Sequence, residues 1–524
     1  MVGPQTDDYA GLDVGGAGDL NSDGIDDVII GSPGRQDRPG ECYVIFGRPA
    51  DDPFPVSFSL GDVDGTNGFK LIGTEIEDRL GLTVSGAGDL NGDGIDDVLM
   101  GANASSPDGQ DDAGSCFVVY GRPAGSPFPA SLLLAELDGT DGFRFDGTER
   151  RDVLGSSVAA AKDLNGDGRD DAIIGALGRN STYVLYGRDA SNPFPARLTT
   201  DDIDGTNGFA ILGVDAGDAS GLSVASAGDT NGDGLPDVII GAPQADPIRQ
   251  QSAGETSIVF GRPADSPFPA VLHLADLDGR NGVRLDGLDP DDRSGTGVGS
   301  VGDLNGDGVD DAIISAPNAR PFFGSGIADG ETYVVFGRSP RPCRPDLDCD
   351  GELTIIDFLA FNLFFDRGEA KADFDDNSTL DVFDFLAFVN DFLARPGMLA
   401  AVRSPEMPTE RLVVAALTSG LSLPALAQTC DPLEIFSPPV PYEAGDLPIS
   451  VAIGDLDGDA DADLVVANRF GSTLGVLLNS GDATFAPQVR YGTGSSPVSV
   501  AISDLDGDGN HDLAVANEAD GSVS

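Results

Sequence analysis

Short apolar runs separated by turn residues recur over residues 1–338, and the unit that they form repeats. In one copy a strand-like run, Gly81 to Gly88, precedes an acidic loop, and a continuous apolar run, Val98-Leu99-Met100-Gly101-Ala102, follows it. Next come Cys116-Phe117-Val118-Val119-Tyr120-Gly121-Arg122, a Pro-Phe-Pro turn at Pro127 to Pro129, an Asp138-Gly139 turn, and a last run from Gly142 to Gly147. Runs of this length between Gly, Pro and Asp predict four or five short strands per unit. Outside residues 341–428 no stretch shows the helical period, so helices are not expected to cover these strands. A mainly β fold follows, and a unit of about 70 residues suits one blade of a β-propeller of four-stranded blades.

The acidic loop is the ruler for the repeat. The string Asp-x-Asn-x-Asp-Gly-x-x-Asp starts at Asp19, Asp89, Asp163, Asp229 and Asp303, at spacings of 70, 74, 66 and 74 residues. Copying at such a period means an array of blades, five of them over residues 1–338. Matching the start of the chain to later copies places Val2 on Ile72 and Gly3 on Gly73, so the first blade is expected to be cut in mid-strand.

Alternate residues of a tight loop point their oxygens inward. In the second copy these are Asp89, Asn91, Asp93 and Asp97, with the Ile95 carbonyl between them and Gly94 at the sharp turn. Hard oxygen donors on a flexible loop suit calcium, which takes six to eight of them, better than zinc or copper. The equivalent sets are Asp19, Asn21, Asp23 and Asp27; Asp163, Asn165, Asp167 and Asp171; Asp229, Asn231, Asp233 and Asp237; and Asp303, Asn305, Asp307 and Asp311. An ion-free Asx-turn hairpin is the alternative, in which three clustered carboxylates repel one another.

Phe69 with Gly73, Leu80-Gly81, the loop, and then Ile30-Gly31-Ser32-Pro33 or Gly241-Ala242-Pro243 recur in fixed order. In this, residues 1–338 resemble the FG-GAP repeats of integrin-alpha-like β-propellers. The resemblance implies that the loops are structural calcium rivets at the rim of each blade and do no chemistry.

Residues 343–396 change character, with Asp-Phe-Leu-Ala-Phe at Asp357 to Phe361 and again at Asp384 to Phe388. Asp346, Asp348, Asp350, Gly351, Glu352, Thr354 and Asp357 have EF-hand spacing with Asp in the last place. The second loop, Asp373, Asp375, Asn377, Asp381 and Asp384, has Ser378 where the turn prefers Gly. Each loop leads into an amphipathic helix, as in Ile356, Leu359, Ala360 and Leu363, giving a small α-helical paired calcium-loop module. It resembles the dockerin-like modules of some bacterial extracellular proteins, which implies a cohesin-like or cell-surface partner. Ile355, Ile356, Val382 and Phe383 stand where cellulosomal dockerins place polar selector residues, which argues against a standard cohesin; a calcium-stabilised cap without a partner is the alternative.

Residues 397–445 read as a linker in which 411–427 have the layout of a secretory signal, with cleavage after Ala427. A signal in mid-chain implies that two secreted reading frames have been joined; the alternative is a Pro-rich linker with one buried helix. Residues 446–524 then carry two shorter, truncated repeats that resemble the FG-GAP-like repeats of bacterial surface proteins, expected to form a partial second β region. Their loops are Asp455, Asp457, Asp459, Asp461 and Asp463, then Asp504, Asp506, Asp508, Asn510 and Asp512, 49 residues apart. Up to nine calcium ions are implied in all.

The net charge of −58 excludes nucleic acid as a partner, and nine divalent ions would offset about a third of it. Calcium loops of extracellular type, with dissociation constants of about 0.1–1 mM, point outside the cell, to the surface or surroundings of a bacterium, with the signal sequence of the first part missing. Five cysteines make no dense disulfide framework. Cys42 and Cys116 share one strand position with Thr182, Thr256 and Thr332 and read as packing residues; Cys343 and Cys349 are close enough in sequence to pair or to stay reduced. His273 and His511 are the only histidines and there is no Trp, which offers little to His-based catalysis or aromatic sugar platforms. No transmembrane span is expected. The sequence thus describes a non-catalytic calcium-binding scaffold for protein or glycan contact, adhesion or assembly; the alternative is an accessory domain of an extracellular polysaccharide-degrading enzyme or complex.

Overall fold

The apolar run after each loop forms the second strand of a sheet. Asp27–Ser32, Asp97–Ala102, Asp171–Ala176, Asp237–Ala242, Asp311–Ala316 and Asp463–Asn468 are buried at every position. A strand covered on both faces has no reason to alternate, and these six do not. The computed structural model describes residues 9–34, 39–49, 51–52, 54–55, 58–189, 191–247, 250–319, 331–338, 440–442, 448–459, 461–480, 485–519 and 522–524. The expected calcium module at 343–396, the signal-like segment 411–427 and Cys343, Cys349 and Cys430 lie outside the described residues.

The described strands make seven sheets, the blades of one propeller. Each starts on an inner strand: Val14–Gly18, Thr83–Gly88, Leu154–Lys162, Ser223–Gly228, Gly297–Gly302, Pro448–Gly454 and Pro497–Ser503 for blades 1 to 7. These strands touch one another in succession, and the seventh touches the first. Small residues line them because neighbouring backbones come close. A Cβ on Gly86 of blade 2 would lie 2.7 Å from the Gly16 carbonyl oxygen of blade 1, and one on Gly15 would lie 3.1 Å from the Val84 carbonyl oxygen.

A side chain at the start of one inner strand also reaches the next. Asp13 accepts the Val84 N–H at 2.8 Å, Ser157 that of Val224 at 3.2 Å, Ser223 that of Val298 at 3.2 Å, Ser450 that of Val500 at 3.3 Å and Ser499 that of Val14 at 3.4 Å. The last of these bonds, with Arg48 N–H donating to the Leu505 carbonyl at 2.9 Å, closes the ring between blades 7 and 1.

Pro-Phe-Pro is more than a turn. After the third strand of blades 2, 3 and 4 the chain runs back to the preceding blade and adds a fifth, parallel strand: Ser131–Leu133 on Gly68–Ile72, Arg197–Thr199 on Gly142–Asp146, and Val271–His273 on Gly208–Leu212. Phe128, Phe194 and Phe268 stack on Phe69, Phe143 and Phe209 of the blade behind, with centroids 4.1, 4.2 and 4.2 Å apart. Arg122, Arg188 and Arg262 lie over the same three Phe rings at 4.7, 4.6 and 4.9 Å. In blade 4, Val283 stands where the Phe would be, and among the described residues that sheet has no fifth strand.

Two expectations are corrected. Seven blades are present rather than five, because residues 448–523 supply the sixth and seventh of the same ring instead of a separate region. The first blade has four strands of its own among the described residues, from Val14 to Ile72, and the mid-strand start expected at Val2 and Gly3 lies outside the described residues. Four strands per blade hold for blades 4, 5 and 6, whereas blades 1 to 3 have five and blade 7 has three described. The fourth strand of blade 5 is Val440–Tyr442, paired with Glu331–Val335 across the intervening chain.

Candidate metal loops and the opposite face

Every loop joins an inner strand to the buried second strand, so all seven stand on one face of the ring. Their first carboxylate is held by the loop's own backbone. Asp19 accepts from the N–H groups of Asp23 and Gly24 at 2.9 and 2.8 Å, and the Ile25 N–H reaches Asp23 at 3.0 Å. Asp89, Asp163, Asp229 and Asp303 repeat the pattern, with Asp93, Asp167, Asp233 and Asp307 as the middle carboxylates.

The last carboxylate of the string sits under the loop. Asp27, Asp97, Asp171, Asp237, Asp311 and Asp463 are fully buried, each accepting one N–H from the loop and one from the end of its own blade's third strand, as Asp27 does from Leu20 at 3.1 Å and Gly47 at 2.9 Å. Burial is the main reason that the Asp27 carboxyl is pushed up to about 8, with the charges of Asp23 and Asp19 adding to it and the N–H bonds opposing it. The same cause takes Asp237 and Asp311 to about 7 and Asp97 and Asp171 well above the usual carboxylate range. Such a group holds its negative charge poorly until a cation arrives.

The asparagines adopt two arrangements. Asn91 and Asn165 turn their amide nitrogens to Asp97 and Asp171, whereas Asn231 and Asn305 accept the N–H groups of Asp233 and Asp307. Among the described residues, three carboxylates gather with oxygens within 4.8 Å of one another in two places, Asp455 with Asp457 and Asp463, and Asp504 with Asp506 and Asp508. Asp459 is held to Asp455 at 3.2 Å, and Asp512 accepts the Leu505 N–H at 3.1 Å. An all-oxygen donor set with a buried, charge-poor carboxylate at its base fits a hard divalent cation.

Reading only alternate positions missed a residue. The carboxylate just before the last one, at Asp26, Asp96, Asp170 and Asp310, leaves its own loop and reaches the preceding blade, and the Asp-Asp pairs in the sequence were the visible sign of it. Cys42 and Cys116 are free and buried as expected, and His273 is an exposed strand residue beside buried Leu272.

The opposite face is built from the connections between second and third strands and between blades. A cleft of about 1030 Å3 there crosses blades 7, 1 and 2, lined in part by Tyr9, Glu75, Ile76, Glu77, Arg79 and Glu518. Ile76 is 61 % exposed, and Tyr9, Glu77 and Arg79 have positive φ. A smaller cavity of about 330 Å3, with Asp13, Thr83, Ser223, Ser450 and Ser499 in its wall, opens where the inner strands begin.

Residues 154–187 and 220–259 match the family described as FG-GAP repeat, and residues 455–515 the family described as FG-GAP-like repeat. The chain carries FG-GAP repeats. They occur in both the long and the short copies, on the same ring. Several relatives are similar over parts of their length. Integrin alpha-5 of Xenopus laevis is 33 % identical over 187 residues, 36 % of this chain and 16 % of that protein. Integrin alpha pat-2 of Caenorhabditis briggsae is 26 % identical over 292 residues, 51 % of this chain and 20 % of that one. Phosphatidylinositol-glycan-specific phospholipase D of Dictyostelium discoideum is 26 % identical over 347 residues, 62 % and 34 % of the two chains. The chain therefore spans a third or less of the length of the first relatives it matches. No described helix is long and apolar enough to cross a membrane.

Proposed function

We propose that this FG-GAP propeller is a calcium-binding, non-catalytic scaffold that works outside the cell, with cations on one face and a protein or glycan ligand on the other. The observation that carries this reading is the repetition of one oxygen-donor loop seven times on a single face, away from the cleft at Ile76 and Glu77. The ions would be held by the first, third, fifth and ninth residues of each string and would brace the hairpin beneath. The carboxylates of the strings would be used in this way and not for hydrolysis.

Residues 343–396 fit the reading as the attachment module, with a cohesin-like or cell-surface partner. Arg338, the last described residue before them, donates its N–H to the Thr230 carbonyl at 3.0 Å. The joined-frame reading of the linker 397–445, with its signal-like segment 411–427, is a separate proposal; a secreted product whose intact mass covers residues 1–524 would reject it.

Calorimetric titration with calcium should give several sites per chain, and EGTA should lower the melting temperature. Absence of bound calcium at millimolar concentration would sink the proposal. The similarity to a protein named as a phospholipase D favours a second reading, in which the propeller is an accessory domain of an extracellular enzyme. Turnover of polysaccharide or lipid by the purified chain, abolished by changing one carboxylate outside the loops, would favour it.

A further inference from the structure

The residue before the last aspartate of each string lies between two blades. Asp96 of blade 2 accepts the backbone N–H of Asp19 in blade 1 at 3.0 Å, Asp170 of blade 3 that of Asp89 at 2.9 Å, and Asp310 of blade 5 that of Asp229 at 2.8 Å. Asp26 of blade 1 receives the Ser503 hydroxyl at 2.8 Å, one residue before Asp504 of blade 7. Three of these contacts run from the residue before the last ligand of one loop to the first ligand of its neighbour, and the fourth, at Asp26, reaches the residue before that first ligand.

The residue before the first ligand makes room for this arm. A Cβ on Gly18, Gly88 or Gly228 would lie 2.2, 2.1 or 2.2 Å from the arriving carboxylate oxygen, and all three have positive φ. Where the arm is missing the glycine is not needed. Pro236 replaces the aspartate in blade 4, and the residue facing it in blade 3 is Lys162, which keeps a φ of 53° without being glycine. Ala462 replaces it in blade 6, and Gly302 of blade 5 has nothing within 4 Å. In blade 7, His511 fills the place, its Nδ1 3.2 Å from the Asp455 carbonyl.

A cation in one loop would hold the carboxylate that follows this arm and so fix the arm's backbone. The arm in turn fixes the first ligand of the loop behind. Two sites joined through one rigid residue share a coupling free energy, and the effect must run both ways. Resting on the calcium reading above, we infer that Asp26, Asp96, Asp170 and Asp310 are positioning residues that couple cation binding between neighbouring blades. The loops at Asp504, Asp19, Asp89 and Asp163 then fill as one cooperative group and those at Asp229 and Asp303 as another, with breaks at Pro236 and Ala462.

The test is hydrogen exchange of the loop amides in the full chain during a calcium titration, for the wild type, Asp170→Ala, Asp170→Asn, Asp163→Ala and the double variant Asp170→Ala/Asp163→Ala. Asp170→Ala should raise the calcium midpoint of residues 89–97 by about five-fold or more and leave residues 229–237 unchanged. Asp170→Asn keeps an acceptor and should restore most of the shift. Asp163→Ala, which disables the loop of blade 3, should raise the midpoint of residues 89–97 only while Asp170 is present, the signature of coupling in a double-mutant cycle. An equal effect of Asp163→Ala with and without Asp170, an unchanged midpoint in Asp170→Ala, or an equal shift in all loops would overturn the inference. A wild-type chain whose loops gain no protection from calcium would instead overturn the calcium reading itself.

Discussion

Blades 1 to 3 and blade 6 share the loop, the buried second strand and the inner strand, and differ at the rim. In blades 1 to 3 a strand borrowed from the next blade covers the outer edge, and Phe128, Phe194 and Phe268 bolt it down. Blade 6 ends on Val489–Gly492, where all four residues are exposed and no described strand follows. The additional residues of the long period therefore build a strap and leave the wedge of the blade alone. An uncovered edge strand presents unpaired backbone groups, which the strap removes from blades 1 to 3.

The largest expected effect separates the two rims directly. Phe128→Ala removes a ring that is 5 % exposed and stacked between two blades, and should cost about 3–5 kcal/mol in urea unfolding. Tyr491→Ala, on a ring 55 % exposed, should stay within about 0.5 kcal/mol. Similar losses from both would break the comparison.

Calcium removal comes next. Calcium at a hundred times its dissociation constant stabilises by about 2.7 kcal/mol per site, and the three gathered carboxylates of the short-repeat loops should depend on it most. Exchange protection in EGTA should fall further at residues 455–463 and 504–512 than at 19–27; the reverse order would show that buried Asp27 matters more than crowding at the surface.

The pH dependence follows in size. In EGTA the folded-state pKa values of Asp27, Asp237 and Asp311, at about 8, 7 and 7, lie above the unfolded value of 3.8, because burial favours the neutral acid. Their contribution is complete below pH 3.8 and is lost as pH rises through 7 to 8, so the calcium-free melting temperature should decline over that window. A calcium-loaded sample should decline less; a calcium-free curve that rises instead would refute the role of the buried carboxylates. The smallest effect is that of Arg122→Lys, which loses the planar contact over Phe128 and should cost about 0.5–1 kcal/mol by thermal melting.

Much of this was legible in the residues. The five strings marked the long blades, and the run Val98 to Ala102 announced a strand buried on both faces. The blade count was misjudged because a period of 49 residues against 66 to 74 suggests a different object, whereas the difference lies in a rim strap that the inner geometry never feels. Pro127-Phe128-Pro129 reads as a turn because Pro and its neighbours are turn residues; only the long-range stack on Phe69 gives the ring its purpose. Asp96 was overlooked because a scheme of alternate ligands skips it, and its partner Asp19 lies 77 positions away.

The pairing of Val440–Tyr442 with Glu331–Val335 has a consequence for how such a ring acquires new parts. The chain leaves blade 5 after one strand and returns in register to the adjacent one, with Thr332 opposite Tyr442. Loop closure in general becomes only about 0.6 kcal/mol harder with each doubling of loop length. The corner between the third and fourth strands is thus a graft point, at which added sequence can vary in size while the two strands that receive it stay the same.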